Sequence, residues 1–184
     1  MSGREGLGTP IGDPSDAATP EGVPAITFRR PTEHDYLRVV DVVDDWWGGR
    51  SMHVLLPRLW FLHFTGTSWL ALGPDGALAG FLVGFISSDD PGIAYCHMIA
   101  TSPNRRHSGV GAGLYRRFFE DARAAGAHAV HAITWPGNRV SVGFHRAMGF
   151  AATTGPGTQN LYGTPALVGY DYGTEDRVLF VLEL

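Results

Sequence analysis

The sequence predicts a single mixed α/β domain in which helices pack on a central sheet. Three observations support this fold class. The chain has 184 residues, of which 44% are apolar, so it can bury one core but is short for two. Its apolar residues recur with the period of a helix in some segments and with that of a strand in others. These segments alternate along the chain in the order strand, two helices, an antiparallel meander, and then β-α-β-α-β-β.

The N-terminal segment differs in composition from the rest of the chain. Residues 1–24 are rich in Gly, Pro, Ser, Thr and Asp, so we predict a disordered tail there and a folded domain over 25–184. The stretch Ala25–Arg29 is typical of a strand, and an amphipathic helix follows from about Glu33 to Gly48–Gly49. The predicted apolar face of this helix consists of Tyr36, Leu37, Val40, Val43 and Trp47.

Turn residues and periodicity place the remaining elements. The helix that begins in the glycine-rich stretch carries Val110, Leu114, Phe118 and Ala122 at helical spacing. The region 153–175, called the late excursion below, is rich in Gly, Pro and Tyr with only short apolar runs. The other predicted elements are a helix at Val54–His63, strands at Ser68–Leu72, Ala77–Ser87 and Gly92–Thr101, a strand at 127–135, a helix at 138–148 and a strand at 177–184.

Composition argues against several functions. The formal net charge of −4 does not favour nucleic-acid binding, and all 14 basic residues apart from histidine are arginine, which excludes lysine chemistry. Cys96 is the single cysteine and fits a reducing cytosol, and the longest apolar run, Ala77–Ile86, is too short to span a membrane. We therefore expect a cytoplasmic protein. Its bias towards Ala, Gly and Arg without lysine suggests a bacterial genome.

The glycines in "RRHSGVGAGLYRRFF" stand where a helix should begin. Glycine costs about 1 kcal/mol relative to alanine in a helix, so Gly109, Gly111 and Gly113 need a reason. A helix N-terminus has unpaired N–H groups that bind anions, and the absence of Cβ atoms lets a phosphate approach. The alternative is that the glycines provide a tight turn and close packing. A dinucleotide site is disfavoured, because the third glycine comes one residue early and no acidic residue ends the next strand.

Two motifs together resemble the GNAT superfamily of acyl-CoA-dependent N-acetyltransferases. Arg106–Gly111 matches R/Q-x-x-G-x-G/A, and Asn138–Phe150 resembles an asparagine-led helix that closes in F-Y-x-x-x-G-F. The resemblance covers about residues 25–184. It implies a mostly antiparallel sheet with helices on both faces, in which the fourth and fifth strands splay apart. It also implies acetyl-CoA as co-substrate and a possible homodimer. The histidines are not at metal-binding spacing, so no metal is expected.

The resemblance assigns the residues that would bind the cofactor. The backbone of Met98, Ile99 and Ala100 would bind pantetheine and polarise the acetyl carbonyl, and Asn138 would contact the cofactor arm. Hydrogen bonds to the pyrophosphate would come mainly from the main chain, so Ser108 in place of the more usual glycine is acceptable. The residues expected around the pyrophosphate are Arg105, Arg106, His107, Ser108, Gly109, Val110, Gly111, Ala112 and Gly113.

Two histidines occupy the positions where proton transfer is expected. His145 replaces the tyrosine that protonates the leaving thiolate in many family members, and an imidazolium with a pKa near 6.5 could donate that proton. The alternative is that His145 only packs or contacts the cofactor, with water as the proton source. His97 matches a histidine implicated in proton removal in arylalkylamine acetyltransferases. Its alternative role is that of a core histidine bonded to a carbonyl. Strand alternation places Tyr95, His97 and Ile99 on one face.

The resemblance implies that the first helix–helix connection and the late excursion border the acceptor cleft. Asp44, Asp45 and His53 flank that connection, Trp46 and Trp47 could form a wall, and Tyr95 lies on the strand of His97. Acidic side chains here would suit a cationic amine, although acids at a helix end are often only solvated. Further candidates are Tyr172 in the late excursion and Asp176 directly after it.

These observations favour an enzyme that transfers acetyl from acetyl-CoA to a primary amine by direct attack in a ternary complex. The acceptor is expected to be a small molecule, with neither nucleic acid nor membrane as partner. A covalent route through Cys96 is disfavoured, because Cys96 should face away from His97. The alternative function is a non-catalytic acyl-CoA-binding sensor or interaction domain, which would have the same glycine loop.

Overall fold

The computed structural model describes residues 26–184, so the predicted disordered tail over 1–24 lies outside the described residues. The helices are α1 (Asp35–Trp46), α2 (Trp60–His63), α3 (Val110–Ala124) and α4 (Arg139–Ala147), with short 3-10 turns at Met52–Leu55, Thr65–Thr67 and Pro103–Arg105. The strands are β1 (Thr27–Arg29), β2 (Trp69–Leu72), β3 (Leu78–Ile86), β4 (Ile93–Thr101), β5 (Ala129–Thr134), β6 (Ala151–Ala152), β7 (Thr158–Leu161), β8 (Thr164–Asp171) and β9 (Glu175–Glu183).

The strands form a mixed sheet that separates at its centre. The order is β1-β2-β3-β4-β5-β9-β8-β7, with β6 also paired to β9, and β4–β5 is the parallel pair in an otherwise antiparallel arrangement. Pairing between β4 and β5 ends at Cys96 and Ala132, although β4 stays paired to β3 as far as Thr101. The predicted mostly antiparallel sheet with a splayed fourth and fifth strand is therefore confirmed.

Strand β4 contains a β-bulge at His97. On β3, Val83 pairs with Met98 while the next residue, Gly84, pairs with Cys96, so His97 is the extra residue. Before the bulge Cys96 packs on the α3 side of the sheet, and after it Met98 packs on the α1 side. A bulge bends a strand and re-aims its side chains. The prediction that Ile99 shares a face with Tyr95 and His97 is therefore wrong, because Ile99 packs on the α3 side.

Two apolar clusters cover the two faces of the sheet. The four predicted core positions of α3, namely Val110, Leu114, Phe118 and Ala122, are all buried against one face. On the other face Val39 and Val43 of α1 pack with Leu56, Phe61 and Phe81. Helices on both faces were predicted and are confirmed. Leu37 was placed on the apolar face of α1 but is 58% exposed, because the helix turns it away from Val39 and Val43.

One local prediction needs correction, and one region contains strands that were not placed from the sequence. The helix expected at 54–63 is divided into the 3-10 turn 52–55 and the short α2, because Pro57 lacks an N–H group and disfavours helical geometry in the residue before it. The region 153–175 contains β7 and β8, joined by Tyr162–Gly163 at φ values of 53° and 80°. A hairpin at the edge of a sheet has a weak apolar pattern, since one of its faces is exposed to water.

Candidate active site

The opening between β4 and β5 begins at the bulge. Met98, Ile99 and Ala100 lie on the part of β4 beyond its last pair with β5, and they pair with Val83, Leu82 and Phe81 of β3. The edge of β4 that faces away from β3 can therefore bind an extended ligand in place of β5. This is the position that pantetheine binding by the backbone of these three residues requires, and that role stays a prediction.

The N-terminus of α3 lies directly after this part of β4. Gly109 precedes the helix at φ +81°, a conformation that glycine adopts without strain, and no side chain caps the helix start. The first bond of the helix runs from the Gly113 N–H to the Gly109 carbonyl, over 2.9 Å. The N–H groups of Val110, Gly111 and Ala112 therefore have no partner within the helix and can bind an anion.

The other two glycines allow side chains of the protein to approach α3. A Cβ atom on Gly111 would lie 2.9 Å from the ring of Phe144 in α4, and one on Gly113 would lie 2.5 Å from the ring of Phe28 in β1. The structure therefore corrects the idea that the absent side chains of Gly111 and Gly113 make room for a phosphate. The alternative of close packing applies to these two, while Gly109 provides the turn.

The loop before α3 is tied to its neighbours. The Arg106 guanidinium donates to the Trp46 carbonyl at 3.1 Å, and the Ser108 hydroxyl donates to the Arg105 carbonyl at 2.6 Å. The Arg105 side chain lines a cavity of about 210 Å³ beside the β2–β3 turn. His107 is exposed at φ +61°. These contacts hold the loop in place, which would allow its backbone to bind a ligand. The roles of these four residues towards a pyrophosphate stay predictions.

Asn138 has a structural task that the sequence reading did not include. Its Oδ1 accepts a hydrogen bond from the Ser141 N–H at 3.1 Å, so Asn138 caps the N-terminus of α4. Asparagine at this position satisfies one of the free N–H groups of the helix. The amide NH2 group of Asn138 is the part that could contact a cofactor.

His145 lies in the core, 3% exposed, between α3, α4 and β9. Its Nδ1 donates to the Ser141 carbonyl at 2.8 Å, and its Nε2 accepts from the Tyr115 hydroxyl at 2.8 Å. The imidazole stacks on Phe180 at 4.7 Å with an interplanar angle of 5°. Burial lowers the pKa of His145, and the bond to Ser141 partly opposes this. The geometry thus supports the packing role rather than the proposed acid role.

His97 is half-buried on the opposite side of the sheet. Its Nε2 lies 2.8 Å from the Leu55 carbonyl oxygen, and its ring stacks on Trp60 at 4.3 Å with an interplanar angle of 12°. A carbonyl can only accept, so Nε2 carries the proton and Nδ1 carries the lone pair. Burial lowers the pKa of His97, with the Leu55 bond opposing it. Burial therefore favours the neutral ring, which can accept a proton.

The predicted acceptor residues are only partly brought together. Tyr95 stacks on Phe85 at 5.4 Å, close to His97, and burial raises the pKa of its phenol. Trp46 packs on Phe81 at 6.1 Å, so it belongs to the core of the α1 face. The remaining candidates are Asp45, which is exposed at the end of α1, His53, which is bonded to Asp44 at 2.6 Å, and Tyr172, which is 96% exposed at the β8–β9 turn.

Sequence reasoning missed two features of this face. Trp60 covers His97, and the pair Arg177–Asp171, at 2.8 Å, joins β9 to β8. Both members of that pair affect the pKa of Tyr95: the charge of Asp171 raises it and the charge of Arg177 lowers it. The "WFLHF" stretch, with aromatic residues at helical spacing, was the available signal for Trp60. Nothing in the sequence signalled the ion pair across the hairpin.

Neither a metal centre nor a membrane span is found among residues 26–184. No group of three or more His, Cys, Asp or Glu side chains in that part of the chain is placed to hold a metal ion. No helix there combines the length and apolar character needed to cross a bilayer.

Comparison with solved structures identifies the class of fold. Diaminobutyrate acetyltransferase EctA from Paenibacillus lautus, solved with its substrate L-2,4-diaminobutyric acid and coenzyme A, is 20% identical with a TM-score of 0.64, over 87% of this chain and 95% of that one. Ard1 from Thermoplasma volcanium is 18% identical with a TM-score of 0.70, over 87% and 98% of the two chains. Both share the acetyltransferase fold.

The family follows from the sequence match. The model of the acetyltransferase (GNAT) family matches residues 32–150, which is well over half of the chain. The protein therefore belongs to the GNAT family, as the two motifs predicted. A curated relative, the L-2,4-diaminobutyric acid acetyltransferase of Nocardia farcinica, is 28% identical over 90 residues, which are 49% of this chain and 46% of that protein. The match thus spans less than half the length of that relative.

Proposed function

We propose that the protein transfers the acetyl group of acetyl-CoA to the primary amine of a small molecule, by direct attack in a ternary complex. The observation that carries the proposal is the position of His97, a neutral histidine at the bulge where β4 leaves β5. Two relatives are named as diaminobutyrate acetyltransferases, which supports a small amine as acceptor. Acetyl-CoA supplies the activated thioester.

Cofactor binding is assigned to the backbone. The free N–H groups of Val110, Gly111 and Ala112 would hold the pyrophosphate at the positive end of α3. The edge of β4 at Met98–Ala100 would bind pantetheine by strand-like hydrogen bonds. A backbone N–H there that contacts the acetyl oxygen would stabilise the charge that develops on it during attack. The solved EctA structure with coenzyme A supports coenzyme A as the co-substrate.

His97 is assigned as the general base. The amine must lose a proton for its nitrogen to form the new C–N bond while the C–S bond breaks. The Nδ1 lone pair of His97 accepts that proton directly or through one water molecule, and general-base assistance contributes about 10²- to 10⁴-fold. Because burial lowers the pKa of His97, the basic form is favoured at neutral pH.

The proton for the leaving thiolate is assigned to water. Both nitrogens of His145 are engaged with Tyr115 and Ser141, and the ring is 3% exposed. The pKa of a thiol lies above neutral pH. Solvent can therefore protonate the leaving thiolate without a dedicated acid. His145 then acts by holding α4 against α3 and β9.

The test is release of the CoA thiol with a panel of amines, diaminobutyrate among them. We expect amine-dependent release, reduced about 10²-fold or more in His97→Ala with the affinity for acetyl-CoA retained. His63→Ala, an exposed histidine on α2, is the matched control and should keep full activity. Tight CoA binding with no amine raising release above hydrolysis would instead favour the non-catalytic acyl-CoA-binding domain.

The homodimer, the cytoplasmic location and the bacterial origin stay predictions. Family resemblance suggests the dimer, and the single cysteine and the composition suggest the location and the origin. Light scattering on the purified full chain, with and without CoA, tests the dimer.

A further inference from the structure

We propose that the segment Met52–Phe64 positions His97 for catalysis, with Trp60 fixing the plane of the imidazole and the Leu55 carbonyl fixing its tautomer. The inference rests on the proposed role of His97 as the base. It adds Trp60 as a positioning residue, which acts through His97 rather than on the substrate.

The Leu55 carbonyl selects one nitrogen of the ring. A neutral imidazole carries its proton on either Nδ1 or Nε2, and the two forms place the lone pair on opposite edges. The 2.8 Å contact between Nε2 of His97 and the Leu55 oxygen stabilises the form with the proton on Nε2. Loss of this contact would mix the two forms, so that only part of the population would present a basic Nδ1.

Trp60 covers one face of the imidazole. The rings are nearly parallel, at 12° and 4.3 Å, and Trp60 is itself held by Phe64 at 4.6 Å and Phe85 at 6.0 Å. This aromatic contact removes one face of the His97 ring from water. Burial is the influence that lowers the pKa of His97, so Trp60 helps to keep the base neutral.

The start of the segment is clamped to α1. Asp44 receives two hydrogen bonds from His53, one from Nδ1 at 2.6 Å and one from the backbone N–H at 2.9 Å. Leu56, which follows Leu55, is fully buried in the core. The Leu55 carbonyl thus lies between two anchors, which restricts its movement relative to His97.

The other titratable groups on the elements that pack around His97 are few. They are Tyr95 and Cys96 on β4, His131 on β5, and His53, His63 and the charged Arg58 on the segment itself. His53 is bonded to Asp44, and the phenol of Tyr95 has a raised pKa, so it stays neutral at the pH of the assay. A change in the acid limb of the pH profile can therefore be assigned by following the His97 ring directly.

The experiment combines kinetics with nitrogen NMR of the full chain labelled with ¹⁵N. The ¹⁵N shifts of His97 report its tautomer and its pKa whether or not the protein turns over substrate. In the wild type we expect the form with the proton on Nε2. In Trp60→Ala we expect the His97 pKa to rise towards 6.5 and kcat to fall about tenfold, with KM for acetyl-CoA unchanged.

Two further variants separate positioning from mere packing. Trp60→Phe keeps an aromatic ring on His97 and should restore most of kcat and the pKa. Leu37→Ala, on the exposed side of α1 and outside the segment, should change neither. If Trp60→Ala does not fold, Asp44→Ala tests the positioning of His97 by releasing the start of the segment. In that variant we expect a mixture of His97 tautomers.

The outcomes distinguish this inference from the proposed function. A wild-type His97 with its proton on Nδ1, or a Trp60→Ala variant with an unchanged His97 pKa, overturns the positioning role even if the protein is active. A further outcome is that the NMR experiments give the expected tautomer and pKa change while the protein acetylates no amine. That outcome would support the positioning of His97 by Trp60 and Leu55, and it would reject the role of His97 as a catalytic base.

Discussion

The buried hydrogen bond between Tyr115 and His145 can be tested by a double-mutant cycle. Tyr115 is fully buried and His145 is 3% exposed, and the Tyr115 hydroxyl donates to Nε2 at 2.8 Å. The variants are Tyr115→Phe, His145→Phe and the double variant. Phenylalanine at 145 keeps an aromatic ring beside Phe180, so the cycle isolates the polar contact from the loss of volume.

The expected magnitudes follow from the burial of both groups. Each single variant leaves one polar partner without its hydrogen bond in the core, which costs about 1–3 kcal/mol of unfolding free energy. The double variant removes both groups, so its cost should be smaller than the sum of the two single costs by about 1–2 kcal/mol. For a chain of this size each kcal/mol corresponds to about 2–4 °C in Tm.

The pH dependence gives the same reasoning a second test. The pKa of His145 in the folded state lies below its unfolded value near 6.5, because burial disfavours the charged ring. Its contribution to stability is therefore complete above pH 6.5 and decreases as the pH falls through the folded pKa. Between pH 7.5 and 5.5 the wild type should lose more unfolding free energy than His145→Phe.

Urea unfolding at both pH values measures all four proteins. Replacement of His34, an exposed histidine, by Phe is the control for loss of a surface imidazole. A coupling energy near zero, together with equal losses of stability in the wild type and in His145→Phe, would refute the buried and neutral state of His145. It would also reopen its assignment as an acid.

Two other predictions concern packing and an ion pair whose carboxylate is buried. Gly113→Ala should destabilise the protein by about 1–3 kcal/mol, because its Cβ would lie 2.5 Å from the ring of Phe28. Gly143→Ala, with open space around its Cβ in α4, should instead stabilise by up to about 1 kcal/mol, and thermal unfolding of both variants checks the contrast. The Arg29 guanidinium, bonded to both oxygens of Asp35, lowers the pKa of that carboxyl to about 2. Asp35→Asn should therefore lower the unfolding free energy at pH 7 by about 1–3 kcal/mol, and this loss should diminish as the pH falls from about 4 towards 2. An equal loss of unfolding free energy at pH 7 and at pH 2 would contradict this prediction.

The sequence predicted the fold well where periodicity and packing agree. The helical spacing of Val110, Leu114, Phe118 and Ala122 identified the buried face of α3. The bulge at His97 could not be predicted in the same way. Burial alternates without interruption along β4, because both faces of the strand are covered, and the change of face leaves no break in the pattern.

The site was predictable as far as its motifs reach. A glycine pattern indicates that Cβ atoms are absent, but it does not say what occupies the space. At Gly111 that space belongs to Phe144, which comes from a helix later in the chain. In the same way, the motif position of His145 indicated an acid, and its burial depends on Tyr115 and Phe180, which are distant in sequence.

The two histidines differ in what surrounds them, and this difference concentrates proton chemistry on one side of the sheet. Burial lowers the pKa of both rings, which favours the neutral form of each. In His145 both nitrogens are bonded within the core, which leaves no lone pair for a substrate. In His97 only Nε2 is engaged, by the Leu55 carbonyl, so Nδ1 keeps a lone pair at the point where β4 separates from β5. These surroundings support the proposal of a single base, His97, on the α1 face, with solvent as the acid.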